Sequence, residues 1–237
     1  MASDANSQRA ARDRILDAAD RLLVRYGYRK MTVEDIAVEA GIGKGTVYLS
    51  FPSKEEVALS CIDRMVEGLL SRLREIAEEP RSIDERLLDM LRLRVLCRLD
   101  YASRHAASLD SLLGAVRPAF LVRRAMHFRS ETDIFAALLR AEARRGALRV
   151  SNAAATADAL VSATNALLPF SLSARELGRR ADVARRVDSV AALVIAGLRT
   201  TKDVSALKAA TPARTRASAA ASSRTTPSRT PRRRSPQ

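Results

Sequence analysis

Residues 32–54 constrain the fold of this chain more than any other stretch, because they predict two short helices joined by a tight turn. Thr32 is a favourable N-cap for the first helix, and Gly41 follows that helix where its end requires a positive φ. The second helix is expected over residues 44–51, since Pro52 pushes the residue before it out of the helical region. The apolar residues of the first helix recur on one face, at helical spacing: Val33, Ile36, Ala37 and Ala40.

Two short helices joined by a glycine-containing turn make a helix-turn-helix, whose second helix can enter the major groove of DNA. Lys44 places a positive charge at the start of that helix, and Thr46 and Tyr48 add hydroxyl groups. Gly43 and Gly45 let the backbone approach a phosphate closely. This stretch fits neither G-x-x-x-x-G-K-[ST] nor G-x-G-x-x-G, so it does not indicate a nucleotide site. On spacing alone, an ordinary helical hairpin remains the alternative.

Three runs of residues resemble the tetracycline-repressor-like (TetR) family of bacterial transcriptional regulators: ILDAADRLLVRYGY, TVEDIA and AGIGKGTVYLSFPSKE. They span about residues 12–58, and their combination is specific. The resemblance implies a DNA-binding head in which Thr32 and Lys54 contact the phosphate backbone of DNA. It also implies that positions 43 and 50 contact DNA. This chain departs from the family at both of those positions. Gly43 stands where serine is frequent, and Ser50 stands where an aromatic residue or histidine is common.

The remaining sequence predicts an all-α chain in four parts. These are a disordered start (1–8), a helix-turn-helix domain (9–55), a helical effector-binding and dimerisation body (56–199) and a disordered basic tail (200–237). Capping residues and prolines predict the helices after the helix-turn-helix over about 53–79, 82–104, 108–116, 118–145, 153–168 and 179–199. The first helix is expected over residues 9–26.

The last two predicted helices have wider apolar stripes than a single neighbour needs, which indicates a four-helix bundle shared with a second subunit. The resemblance implies the same homodimer. The residues expected at this interface are Leu160, Val161, Thr164, Leu168, Val183, Val187, Val190 and Val194.

A few polar or polarisable residues stand out in the body as candidates for lining a ligand cavity: Cys97, Tyr101, His105, Met126, His127 and Asn165. Ordinary packing is the alternative for each of them, since the polar contacts of a ligand pocket are few. The pair Arg123 and Arg124 is expected to lie on a solvated helix face. The resemblance implies that an unidentified small molecule binds in the body and changes the spacing of two DNA-binding heads.

The net charge of +14 lies mostly in the tail. Residues 1–60 hold nine basic and nine acidic side chains, whereas residues 200–237 hold nine basic and one acidic. High overall basicity is therefore weak evidence for sequence-specific DNA binding. The tail is interpreted in three ways: as a salt-sensitive phosphate-binding arm, as a segment that binds a partner, or as a solubilising appendage.

These observations predict a cytoplasmic transcriptional regulator, a repressor that a ligand releases from a palindromic site in double-stranded DNA. The alternative is an effector-independent architectural protein that binds DNA through the head and the tail. An enzyme is not expected, because the sequence has no nucleophile–base pair and no metal-ligand spacing. No cofactor, metal or membrane contact is expected, and the two cysteines are expected to be reduced.

Overall fold

The computed structural model describes residues 2–168 and 178–199, and within these ranges the chain forms helices, which confirms the predicted all-α class. The predicted basic tail lies outside the described residues. None of the described helices is both long and apolar enough to cross a membrane. In chain order the helices are α1 (Ala2–Tyr26), α2 (Val33–Ala40), α3 (Lys44–Ser50), α4 (Lys54–Glu78), α5 (Ile83–Arg104), α6 (Ala106–Arg144), α7 (Ala153–Asn165) and α8 (Arg180–Leu198).

Helix α1 begins at Ala2, so the prediction of disorder before Arg9 is wrong for residues 2–8. Residues 6–10 are exposed, and the first buried residue after them is Ala11, so this turn gains no core contacts. It continues the helix because each residue added to a helix that has already formed gains a backbone hydrogen bond.

Helices α2 and α3 form the predicted helix-turn-helix. Thr32 and Asp35 make a reciprocal capping box at the start of α2, in which the Thr32 amide donates to the Asp35 carboxylate at 2.9 Å. Gly41 ends the helix with a φ of 64°, a value that favours glycine. Val47 and Phe51 are each 1% exposed, so these two residues fix which face of α3 turns away from solvent.

Two hydrophobic cores hold the chain together. The first joins α1, α2 and α3 to the start of α4 and the first part of α6, through residues such as Ile15, Leu23, Ile36, Phe51, Val57, Leu112 and Val116. The second joins the rest of α4 and α6 to α5, α7 and α8, through residues such as Leu73, Leu87, Met90, Val95, Phe135, Leu139, Val161 and Val187. Helix α4 and helix α6 therefore each connect the amino-terminal core with the second core.

A capping box at the start of α4 is only half formed. Ser53 accepts a hydrogen bond from the Glu56 amide at 3.2 Å. The Glu56 carboxylate instead accepts two hydrogen bonds of 2.7 Å from Arg123 on α6, which also pairs with Asp63. The expectation that Arg123 would be solvated is therefore wrong, because two carboxylates on α4 hold it against that helix.

Helix α6 is one continuous helix of 39 residues, although the sequence predicted two helices separated at Pro118. Proline was expected at a helix start, but Pro118 lies inside α6 and is exposed. It cannot donate a hydrogen bond to the carbonyl of Gly114, four residues earlier. Burial of Leu112, Val116 and Phe135 on either side keeps both halves of the helix in place.

Replacing Pro118 with alanine is expected to raise the free energy of unfolding by about 2 kcal/mol. Alanine restores the missing amide donor and removes the clash of the proline ring with the preceding turn, and this gain exceeds the loss of proline's rigidity in the unfolded chain. Urea denaturation at fixed protein concentration measures the change. A lower stability would contradict it and would mean that the proline ring makes a needed contact.

Candidate nucleic-acid interface and ligand cavity

The exposed face of α3 is built from the residues that the sequence singled out. Tyr48 is 49% exposed, and Lys44 and Gly45 are also exposed. Gly43 precedes the helix in an extended conformation, and a β-carbon at Gly45 would meet nothing within 4 Å. Thr46 and Ser50 are half-buried. Helix α3 therefore presents a side-chain face of Lys44 and Tyr48 next to open backbone.

Lys44 is held at the start of α3 by an ion pair with Glu34 on α2. Its ammonium group also lies 5.8 Å from the centre of the Tyr48 ring. The hydrogen bond between the two side chains raises the pKa of Lys44 and lowers the pKa of Glu34. Both side chains remain about half exposed, so the pair is weak and can exchange for a phosphate or a base.

Thr32 and Lys54, the candidate DNA contacts on either side of α3, already make hydrogen bonds to other residues of the chain. The Thr32 hydroxyl donates to the Asp35 carboxylate at 2.7 Å and accepts a hydrogen bond from the Asp35 amide. The hydroxyl is therefore already used in capping α2. Lys54 donates to the Tyr28 carbonyl at 3.2 Å and lies 4.4 Å from the centre of the Tyr28 ring. The phenol of Tyr28 in turn donates to Glu55 at 2.7 Å, which fixes the ring beneath Lys54.

Arg12 is a residue of this region that sequence reasoning missed. Its guanidinium lies 4.2 Å from the centre of the Phe51 ring and donates to the Ser50 carbonyl at 3.3 Å. A second nitrogen lies 3.4 Å from the hydroxyl of Ser60 on α4. Arg12 therefore ties α1 to the end of α3 and to α4. The sequence around position 12 does not indicate these contacts, because the residues that make them lie far along the chain.

A cavity of about 110 Å³ lies between α4, α5 and α6. Tyr101, His105 and His127 border it, whereas the other three predicted residues do not. Met126 is 56% exposed, the Cys97 sulfur lies 3.7 Å from the sulfur of Met65, and Asn165 accepts from Arg94 at 2.8 Å. The remaining wall residues are mostly apolar: Ile62, Met65, Val66, Arg98, Leu99, Ala102, Leu109, Leu112, Leu113, Phe120, Arg124 and Leu168.

The hydroxyl of Tyr101 is a buried polar group of this wall that has no partner in the described part of the chain. Tyr101 is 8% exposed, and its hydroxyl has no hydrogen-bond partner among the residues that the structure describes. Burial raises the pKa of this phenol, so it stays protonated and can donate. A buried hydroxyl without a partner costs stability, which is a reason to expect a ligand atom beside it.

His105 connects this cavity to the amino-terminal helices. One ring nitrogen lies 2.8 Å from the Tyr101 carbonyl, and the other lies 3.0 Å from the carboxylate of Asp20 on α1. Both partners are oxygen acceptors, so the ring is held between α5 and α1. Ser108, three residues on, donates to the Leu23 carbonyl of α1 at 3.2 Å. The turn between α5 and α6 is thus fastened directly to α1.

The Asp20→Asn variant is expected to lose about 1 kcal/mol of stability at pH 7. The hydrogen bond from His105 lowers the pKa of Asp20 below its usual 3.8, so the ionised carboxylate favours the folded state. This contribution is present above the unfolded pKa and is lost as the pH falls through the folded pKa. Urea denaturation at pH 7 and pH 3 should therefore show a variant deficit that shrinks at the lower pH. An equal deficit at both values would contradict this origin.

A larger groove of about 840 Å³ lies between the end of α4, the start of α5 and the second half of α6. It is open, and its most buried charges pair with one another. Arg86 donates to Glu142 at 3.0 Å, and Arg145 donates to the same carboxylate at 2.7 Å. We therefore favour the smaller, more apolar cavity as the ligand site. No group of three or more potential metal ligands occurs within the described ranges.

Residues 15–61 match the bacterial regulatory proteins of the tetR family. The helix-turn-helix region of this chain is therefore similar to that family, over about a fifth of its length. A transcriptional regulator from Cytophaga hutchinsonii superposes with a TM-score of 0.68 at 20% identity, over 78% of this chain and 97% of that chain. This likeness shows that the fold extends beyond the matched residues into the helical body.

Two curated relatives match a shorter part of the chain. The fatty acid metabolism regulator protein of Bacillus subtilis is 33% identical over 73 residues, which is 31% of this chain and 38% of that protein. The transcriptional regulator EthR of Mycobacterium tuberculosis is 40% identical over 70 residues, which is 30% of this chain and 32% of that protein. The chain thus matches only about a third of the length of these two regulators.

Most of the residues predicted to form the dimer interface are buried inside a single subunit. Five of the eight are at most 5% exposed: Leu160, Val161, Thr164, Val183 and Val187. They pack in the second core, so they are unavailable to a partner and this part of the prediction is wrong. The apolar stripes of α7 and α8 were correctly identified, but they face the core. Leu168, Val190 and Val194 are half-buried at its edge.

Proposed function

We propose that this protein is a sequence-specific transcriptional repressor that binds a palindromic DNA site as a homodimer and leaves it when a small molecule binds. The observation that supports this most directly is the exposed face of α3, with Lys44 and Tyr48 beside two open glycines, in a TetR-family head. We assign the protein no catalytic activity and place it in the cytoplasm, with the DNA that it regulates.

In this proposal α3 lies in the major groove. Lys44 reaches base edges from the start of the helix, while Gly43 and Gly45 allow close backbone approach. Thr46, Tyr48 and Ser50 follow along the helix, and Lys54 contacts a phosphate at the groove edge. Thr32 is proposed to position the backbone of α2 at a phosphate, because its hydroxyl already caps that helix.

The dimer is proposed to form through the outer faces of α7 and α8, opposite their buried stripes. These faces carry small side chains that permit close helix packing, and Leu193 is 76% exposed among them. The exposed residues on the two faces include Ala155, Ala159, Ser162, Ala163, Ala192, Leu193 and Ala196. Pairing two such faces gives a four-helix bundle and carries two heads to half-sites about one helical turn, or a small multiple, apart.

The effector is proposed to bind in the 110 Å³ cavity and to act on the heads by two routes. Ile62 and Met65 on the cavity wall belong to α4, which begins beside α3. His105 belongs to the turn fastened to Asp20 of α1. A ligand changes DNA affinity only if it binds one head arrangement better than the other, so both contacts must differ between the two states.

The test is to select genomic fragments bound by the full chain, footprint the strongest, and then add candidate compounds. A single protected palindrome that a compound releases supports the proposal. Uniform protection that disappears with salt would instead support an architectural DNA-binding protein, the second candidate, which the basic tail favours. Protection of one half-site only would contradict the homodimer.

A further inference from the structure

Three arginines surround one aromatic ring, and two of them, Arg98 and Arg124, also border the cavity. The guanidinium groups of Arg94, Arg98 and Arg124 lie 5.7, 5.3 and 5.0 Å from the centre of the Phe128 ring. Glu131 is the one carboxylate that pairs with any of them among the described residues. This cluster therefore carries an excess of positive charge in a half-buried place.

Arg94 and Arg98 already use Glu131. Arg94 is fully buried and donates to Glu131 at 2.8 Å, and its other nitrogens bond to α7, at Asn165 and Thr164. Arg98 bonds to the second oxygen of the same carboxylate. Both carboxylate oxygens of Glu131 thereby bind guanidinium groups, and neither of them binds Arg124.

Arg124 is left without an acceptor. It is half-buried, and it makes no hydrogen bond or ion pair with any residue that the structure describes. Burial and the nearby charge of Arg98 lower its pKa, which reflects an environment unfavourable to its positive charge. An anion beside Arg124 would relieve this cost, because a charge in such a place is normally paired.

The same cavity contains the second unsatisfied donor. Arg124 and Tyr101 both border it, together with Arg98, while the other charged side chains of the wall have partners. His105 bonds Asp20, and His127 lies 3.1 Å from Asp63. The wall thus offers donors without a free acceptor, and the rest of it is apolar: leucine, isoleucine, valine, alanine, methionine and phenylalanine.

We propose that this cavity binds a compact carboxylic acid as its anion, with Arg124 and the Tyr101 hydroxyl donating to the carboxylate and the apolar body against the leucines. The volume of about 110 Å³ is somewhat below the about 150 Å³ of a cavity that takes up benzene, so the apolar body of the acid can be no larger than a single ring or a short alkyl chain. This inference rests on the proposed function in one respect, which is that the ligand of this cavity is the regulatory one.

The test uses the full chain without DNA, titrated calorimetrically with benzoate and hexanoate and with the uncharged benzyl alcohol and 1-hexanol. At least one acid is expected to bind at least about tenfold more tightly than its alcohol, since the alcohol lacks the charge that Arg124 needs. Arg124→Met should weaken the acid at least about tenfold and leave the alcohol unchanged. Arg129→Met is the matched control, because Arg129 is exposed on the same helix.

Tyr101→Phe supplies an independent measurement. It should weaken acid binding several-fold while raising the melting temperature of the unliganded protein, because it removes a buried hydroxyl without a partner. The inference is overturned if neither acid binds, if the alcohols bind as tightly as the acids, or if Arg124→Met leaves acid binding unchanged. Acids that bind but fail to release DNA would uphold it and instead contradict the proposed regulatory role.

Discussion

Glu131→Gln is expected to lower the free energy of unfolding by about 3–5 kcal/mol, as breaking a buried ion pair from one side usually does. The Glu131 and Arg94 side chains are both fully buried, and the carboxylate also binds Arg98. Glutamine keeps the size of the side chain but loses its charge. The variant therefore leaves Arg94 charged in the core, held only by the neutral oxygens of α7.

Urea denaturation at fixed protein concentration measures this loss, with concentration held constant because a dimer's stability depends on it. Asp133→Asn is the matched control, since Asp133 lies two residues away on the exposed side of α6. It should change the stability by less than about 0.5 kcal/mol. A loss below about 1 kcal/mol in Glu131→Gln would show that the arginines are hydrated and that the network contributes little to folding.

Lys44→Ala is expected to weaken binding to the selected palindrome about a hundredfold. A good contact to a base edge contributes roughly tenfold in affinity, and each head of a homodimer loses it once. The folded state should be unaffected, because the ion pair with Glu34 is exposed and removal of such pairs costs little. Fluorescence anisotropy at constant salt measures the affinity, and a melting curve checks the fold.

Two further variants separate a specific contact from general electrostatics. Arg72→Ala removes the same charge from an exposed position in the middle of α4 and should change the affinity less than threefold. Tyr48→Phe removes only a hydroxyl from the exposed face of α3 and should have a smaller effect than Lys44→Ala. If Lys44→Ala weakened binding no more than Arg72→Ala did, a different face would have to enter the groove.

The helix-turn-helix could be predicted because its signals are local. Thr32 caps α2 through Asp35, Gly41 ends it with positive φ, and Val47 and Phe51 lie one helical turn apart. Each of these features acts within a few residues of chain. The face that α3 exposes follows from the same spacing, so the positions of Lys44 and Tyr48 could be derived as well.

The predictions for the helical body were wrong where contacts between residues far apart in the sequence decide the structure. Nothing near Arg123 in the sequence indicates that two carboxylates of α4 bind it. The stripes of α7 and α8 were identified, but periodicity does not say whether a stripe faces its own core or a second subunit. Arg94, Arg98 and Glu131 gave no signal, because their pairing depends on how α5, α6 and α7 pack. Pro118 shows that burial on both sides can override a local helix-breaking preference.

Pro118 interrupts the backbone hydrogen bonds of α6, whose two halves pack in different hydrophobic cores. Leu112 and Val116 belong to the amino-terminal core, whereas Phe135 and Leu139 belong to the second one. The hydrogen bond that Pro118 cannot make therefore falls in the part of α6 that packs on the amino-terminal core, between Val116 and Phe120. Selection for heat tolerance would favour alanine at this place, and the α6 that resulted would be a stiffer connection between the two cores.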